Sequence, residues 1–146
     1  MKRTPATRKT HVIFILGLLT AIGPFSIDMY LPAFPAIAAD LNTDIAHVML
    51  SLSSFFIGIS TVQLMYGPLL ERYGRKRPLY VGLVIYLFAT VGCGFASSVD
   101  SLIAFRFLQA IGSCAGMVTS RAIVRDLFEV NENAKVFSSL MLVVAV

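Results

Sequence analysis

Residues 46–96 read AHVMLSLSSFFIGISTVQLMYGPLLERYGRKRPLYVGLVIYLFATVGCGFA, two long apolar runs separated by a short stretch carrying Arg72, Arg75, Lys76 and Arg77. A helix crossing a hydrocarbon core of ~30 Å at ~1.5 Å per residue needs about 20 largely apolar residues. Both runs are of that length, so the stretch predicts a helical hairpin in a bilayer with its charged turn at one surface. The composition agrees. Of 146 residues, 57% are hydrophobic and 14% charged, with a mean hydropathy of +0.80. A soluble domain has about a quarter of its residues charged. A disordered chain, a coiled coil and an ordinary water-soluble enzyme are thereby excluded.

Working outward from this hairpin, the first span is expected at about 11–31, the second at 46–66, the third at 79–96 and the fourth at 101–120. A fifth begins after Lys135 and reads VFSSLMLVVAV to the last residue. Twelve residues from Lys135 reach only ~18 Å as a helix, too short to cross. The fold class is all-α and polytopic, with about 4.5 transmembrane helices. Residues 1–10 form an N-terminal segment and 11–146 the membrane body. The first span is not a cleaved signal peptide, because it contains Asp28 and ends at Pro32 and Pro35 without a small-residue cleavage site.

Orientation follows from the basic residues. Lys2, Arg3, Arg8 and Lys9 precede the first span; Arg72, Arg75, Lys76 and Arg77 follow the second; Arg121, Arg125 and Lys135 follow the fourth. The other two connections hold Asp40, Asp44 and Asp100 and no Lys or Arg. Eleven of the 12 basic residues thus fall on one side, which the positive-inside rule makes cytoplasmic, the N-terminus included. The net charge of +4 is therefore a mark of topology rather than of nucleic-acid binding, which gathers basic residues on one wettable face. Lipid bilayer is an expected partner; nucleic acid is not.

Arg106 is the remaining basic residue and Asp28 the one carboxylate within a span. Charge at membrane depth costs a few kcal/mol or more, so such groups face a cavity, find a partner or carry function. Asp28 is expected ~25 Å from the inner boundary and Arg106 ~7 Å from the outer one. In a ~30 Å core the two are placed to meet or to share one water-filled cavity. Each continues a polar row: Gly17, Thr20, Pro24 and Asp28 on the first span, and Arg106, Gln109, Ser113 and Ser120 with Gly116 on the fourth. Snorkelling of Arg106 to the interface or a purely structural ion pair are the alternatives. Ser51, Ser54, Gly58 and Thr61 on the second span, and Gly112-x-x-x-Gly116, read as helix-packing faces. Pro24 predicts a kink before Asp28. Cys93 and Cys114 lie too far apart in depth to bridge. His11 and His47 stand alone near span ends, and neither a metal-ligand cluster nor a nucleophile elbow is present.

In the turn Gly67-Pro-Leu-Leu-Glu-Arg-Tyr-Gly-Arg-Lys-Arg-Pro-Leu79, Gly67 and Gly74 are expected to allow close approach and tight turning, and Pro78 to open the next helix. This segment resembles the loop signature of the major facilitator superfamily, G-x-L-a-D-r-x-G-r-k-x-x-l. Gly67, Leu69, Arg72, Gly74, Arg75, Lys76 and Leu79 match, and Glu71 stands where the family usually has Asp. Leu102-x-x-x-Arg106-x-x-Gln109 with Gly112 resembles the superfamily's fourth-helix signature, Ala110 replacing its first glycine. Ser26-Ile-Asp28-Met-Tyr-Leu-Pro32-Ala-Phe-Pro35 is similar to the bicyclomycin-resistance (Bcr/CflA) type of drug:proton antiporter.

This resemblance implies a twelve-helix transporter in two six-helix halves, of which the chain would hold most of the first. It implies efflux of small drugs in exchange for protons by alternating access, with the proton gradient as energy source, no cofactor, and a bacterial inner-membrane location. Carried over position by position, Asp28 would be the protonatable group and Arg106 would tune or relay its proton, with Gln109 and Ser113 in the same cavity. Gly67, Glu71, Arg72, Gly74, Arg75 and Lys76 would form the gating loop. The remainder of the protein, the drug and protons are the implied partners. A uniporter or symporter of metabolites, and a non-transporting membrane anchor, are the competing readings.

Overall fold

The computed structural model describes residues 6–127 together with Val136, Ser138, Met141 and Leu142. These form helices α1 (Ala6–Asp28), α2 (Phe34–Asp40), α3 (Ile45–Tyr73), α4 (Lys76–Gly94) and α5 (Val99–Leu127), with a 3-10 turn at Leu31–Ala33 between α1 and α2. Among the described residues, four helical segments are long and apolar enough to cross a membrane, one of them running through α1 and α2. The expected fifth span, 135–146, lies largely outside the described residues; of it, Val136 packs with Leu16 and Val124.

α5 is the axis of the bundle. Over half of its apolar window is buried against α1, α3 and α4, compared with roughly a fifth of each of the other spans. Small residues make this possible, because in lipid the driving force is close van der Waals packing rather than hydrophobic burial. A Cβ added at Gly58 of α3 would lie 2.7 Å from Ala110 Cβ, and one at Gly112 would lie 2.6 Å from the Gly82 carbonyl oxygen of α4. At Gly116 it would meet the Leu19 carbonyl oxygen of α1 at 2.9 Å. The Gly112-x-x-x-Gly116 pair therefore receives two different helices, one per glycine. On α3, Ser51 and Gly58 are buried, and Ser54 donates to the Ile103 carbonyl of α5 at 3.2 Å, so most of that row is a packing face; Thr61 is exposed.

Helix ends depart from the expected ones. The segment Gly67–Tyr73, expected in the turn, is the last part of α3, and Pro68 lies inside the helix. At 29 residues α3 spans ~43 Å, so it projects beyond a ~30 Å core, and the polar surface at its end is compatible with helix outside the hydrocarbon. The turn shrinks to Gly74 and Arg75, where Gly74 takes φ +76°, the left-handed region that favours glycine. Pro78 falls in the first turn of α4, as its missing N–H allows. At the opposite end of the bundle, Ser98 and Ser101 exchange side-chain-to-backbone hydrogen bonds and cap α5 reciprocally. Tyr30, Phe34, Ala38 and Val48 close the α1–α2–α3 junction.

Candidate functional site

Arg106 lies on the first third of α5 and is 5% exposed, so the chain has taken a guanidinium out of water and must satisfy it within protein. Its Nη1 donates to Gln109 Oε1 at 2.9 Å and, more weakly, to the Ser26 carbonyl of α1 at 3.4 Å. Its Cζ sits 3.4 Å from the centre of the Tyr30 ring and 5.8 Å from that of Phe55 on α3. Desolvated cation–π contacts of this kind contribute about 2 kcal/mol. Gln109 passes the connection on, donating from Nε2 to Thr90 Oγ1 of α4 at 2.9 Å. Ser26 accepts from the Tyr86 hydroxyl of α4, because its own proton goes to the Ile22 carbonyl. The Tyr30 hydroxyl likewise donates to Ser51 Oγ, whose proton goes to Val48. Arg106 thus ties together α1, α3, α4 and α5 without a carboxylate partner among the described residues.

Asp28 does not join it. Among the described residues Asp28 is exposed at the end of α1, and no ion pair links it to Arg106. The reason is helical phase. Ser26 faces α4 and α5, and two residues further on a helix is ~200° around, so Asp28 points away. The expected row of Gly17, Thr20, Pro24 and Asp28 starts buried and ends exposed. Packing follows Leu16, Thr20 and Gly23 on α1 and Tyr30 just beyond it, a face from which the expected row drifts forward around the helix. The direct meeting of the two charges is thereby corrected for this conformation. Ser113 is buried at 1% and donates to the Ala110 carbonyl of its own helix, and Ser120 is buried as well. Cys93 and Cys114 are free thiols.

At the basic end, Arg75 clasps Asp126 of α5, Nε to Oδ2 at 2.5 Å and Nη2 to Oδ1 at 2.9 Å. A cleft of about 470 Å3 between α3 and α5 is lined there by Glu71, Arg75, Arg121 and Arg125. Glu71, Arg72, Gly74 and Lys76 are exposed, and the Arg72 guanidinium lies 5.6 Å from its neighbour Tyr73's ring centre. Gly67 lies inside α3 with open space around it, so the close approach expected there is not made among the described residues.

Residues 16–146 match the model of the Major Facilitator Superfamily. The chain belongs to that superfamily. It is 43% identical over 133 residues to the MFS-type transporter YdgK of Bacillus subtilis, covering 91% of this chain and 33% of that one. With the bicyclomycin resistance protein homolog of Haemophilus influenzae the identity is 37% over 138 residues, 93% of this chain and 35% of that one. With the multidrug resistance protein MdtL of Salmonella dublin it is 37% over 122 residues, 84% and 31% respectively. The chain therefore spans about a third of the length of the curated relatives it matches. As a major facilitator with four apolar helices it is a membrane protein, of a family of transporters rather than enzymes.

Several residues of this major facilitator site escaped the sequence reading. Tyr30, Ser26, Tyr86 and Thr90 build the cradle of Arg106; Ser26 and Tyr30 were quoted only as part of the segment that carries the resemblance, and the signal for Tyr86 and Thr90 was a polar atom inside an apolar run. Asp126 was not singled out by the sequence, because its connection carries Glu129 and Glu132 as well.

Proposed function

We propose that the full-length protein exports small drugs or other xenobiotics across the bacterial inner membrane in exchange for protons, by alternating access. The observation that carries this reading is the buried Arg106, held by four helices and neutralised by no carboxylate among the described residues. An unpaired cation in a membrane bundle is costly, and its retention marks a solute or proton pathway. The names of the relatives, which denote multidrug and bicyclomycin resistance, support drugs as the substrate class. The proton gradient supplies the energy, and the N-terminus and the Arg75 turn lie on the cytoplasmic side.

In this mechanism Asp28, exposed at the end of α1, alternates between its protonated and ionised forms. Arg106 acts on it through the α1 backbone: its bond to the Ser26 carbonyl fixes the last turn from which Asp28 projects. Gln109 orients the guanidinium, and Ser113 belongs to the packed wall beside it. Glu71, Arg72 and Arg75, with Gly67, Gly74 and Lys76, form the gating loop, which Asp126 anchors to α5. Asp28→Asn in the full-length protein is expected to abolish proton-driven drug efflux from everted vesicles while leaving membrane insertion intact. Efflux at the wild-type rate from that variant would refute the role of Asp28.

A further inference from the structure

A cleft of about 360 Å3 opens at the end of the bundle remote from the basic turn, between the α1–α3 connection and the α4–α5 turn. Its walls include Tyr30, Asp40, Leu41, Cys93 and Leu102, and Arg106 is part of its lining. Asp40 is the one carboxylate among the residues that line it; Asp28 is not one of them. Asp40 is exposed at the end of α2, and Arg106 is 5% exposed, so the acid stands at the rim and the cation at the floor. They form no ion pair across the space. Arg106 Nε, moreover, is buried without a hydrogen-bond partner. A buried donor left unsatisfied costs about 1–3 kcal/mol, and ordered water is the usual remedy where protein supplies no acceptor. At ~30 Å3 per molecule the cleft has room for roughly ten waters.

We propose that this cleft is a water-filled vestibule leading small ions to the Arg106 guanidinium, with Asp40 at its rim setting which sign of charge enters and Cys93 as its accessible thiol. The inference goes beyond the transport reading and stands without it, since it concerns access and charge at one place in the fold. An isolated Arg106 would draw anions inward. Asp40, across the same space, cancels part of that field for a solute at Cys93. Neutralising Asp40 therefore makes Cys93 more accessible to anions and less so to cations.

The test uses the purified full-length protein in detergent micelles, with every cysteine other than Cys93 replaced by alanine. It is treated separately with an anionic and a cationic methanethiosulfonate, ethylsulfonate and ethyltrimethylammonium. In each case the Cys93 thiolate attacks the sulfenyl sulfur, a disulfide forms and methanesulfinate leaves, so mass spectrometry reads the rate. Both reagents are expected to label Cys93. Asp40→Asn is expected to shift the anionic-to-cationic rate ratio toward the anion by about three- to tenfold, the effect of one unit charge acting through water over several ångströms. Asp28→Asn is expected to leave that ratio unchanged, and Arg106→Gln to move it the opposite way. A Cys93 that neither reagent labels in the folded protein would overturn the proposal. So would a ratio that ignores Asp40→Asn or that responds equally to Asp28→Asn.

Discussion

Tyr30 meets Arg106 with its ring and Ser51 with its hydroxyl, so the two contacts separate by substitution. Tyr30→Phe keeps the ring over the guanidinium and removes one hydroxyl donor. Ser51 retains its bond to Val48, so the loss is expected to stay at about 1 kcal/mol or less. Tyr30→Ala also removes the desolvated cation–π contact and opens Arg106 to the adjoining cleft, and a loss of about 2 kcal/mol or more is expected. Thermal unfolding in detergent measures both; equal losses would show that the ring contributes nothing. The presence of Arg106 inside a span and its pairing with Gln109 on one face were legible in the sequence, and its partners on α1, α3 and α4 were not. Cation–π and carbonyl contacts depend on where α1 breaks and on which side Ser26 faces, and neither is fixed by residue type.

At the scale of elements, two glycines of the α3–α4 hairpin have opposite surroundings. A Cβ at Gly82 would collide with Ala115 Cβ of α5, whereas one at Gly67 meets nothing within 4 Å. Gly82→Val is expected to cost about 1–3 kcal/mol by overpacking a backbone contact. Gly67→Ala removes a flexible residue from a helix interior and is expected to be neutral or to stabilise by about 0.5–1 kcal/mol. The Tm values of the purified variants check both. The existence and order of the four helices was legible because apolar run length alone decides whether a segment spans. Their ends were not. Polar residues from Glu71 to Tyr73 extend α3 outside the hydrocarbon as readily as they would form a loop, and what stops the helix is the left-handed backbone of Gly74. The failed row on α1 has a related cause: steps of three, four and four residues differ little from the face the helix buries, yet the error accumulates to point Asp28 outward.

For the molecule as a whole, charge is segregated by end. The N-terminus is expected to lie in the cytoplasm. An epitope tag placed there should be protected from antibody in intact spheroplasts and exposed after permeabilisation, and labelling of intact cells would reverse the topology. The Arg75–Asp126 bridge joins α3–α4 to α5 at this end, with side chains 32% and 45% exposed. Such a pair contributes at most about 1 kcal/mol to stability. Asp126→Asn is therefore expected to leave Tm almost unchanged, while drug efflux falls as the gating loop loses its anchor. The double exchange Arg75→Asp with Asp126→Arg should recover part of that efflux. A Tm drop of many degrees would mean that the bridge holds the bundle together instead.

That α5 occupies the centre has a consequence for biogenesis. The ribosome makes α1, α3 and α4 first, so Tyr30, Ser26 and Thr90 are already synthesised when Arg106 leaves the translocon, but the helices that carry them pack mainly on α5. The costliest side chain of the bundle thus arrives on the helix that draws the other three together, and its cradle closes as α5 packs. A nonsense codon just after Gly94 would leave three apolar rods without the axle on which they pack, and the quality-control proteases of the membrane should clear that product quickly.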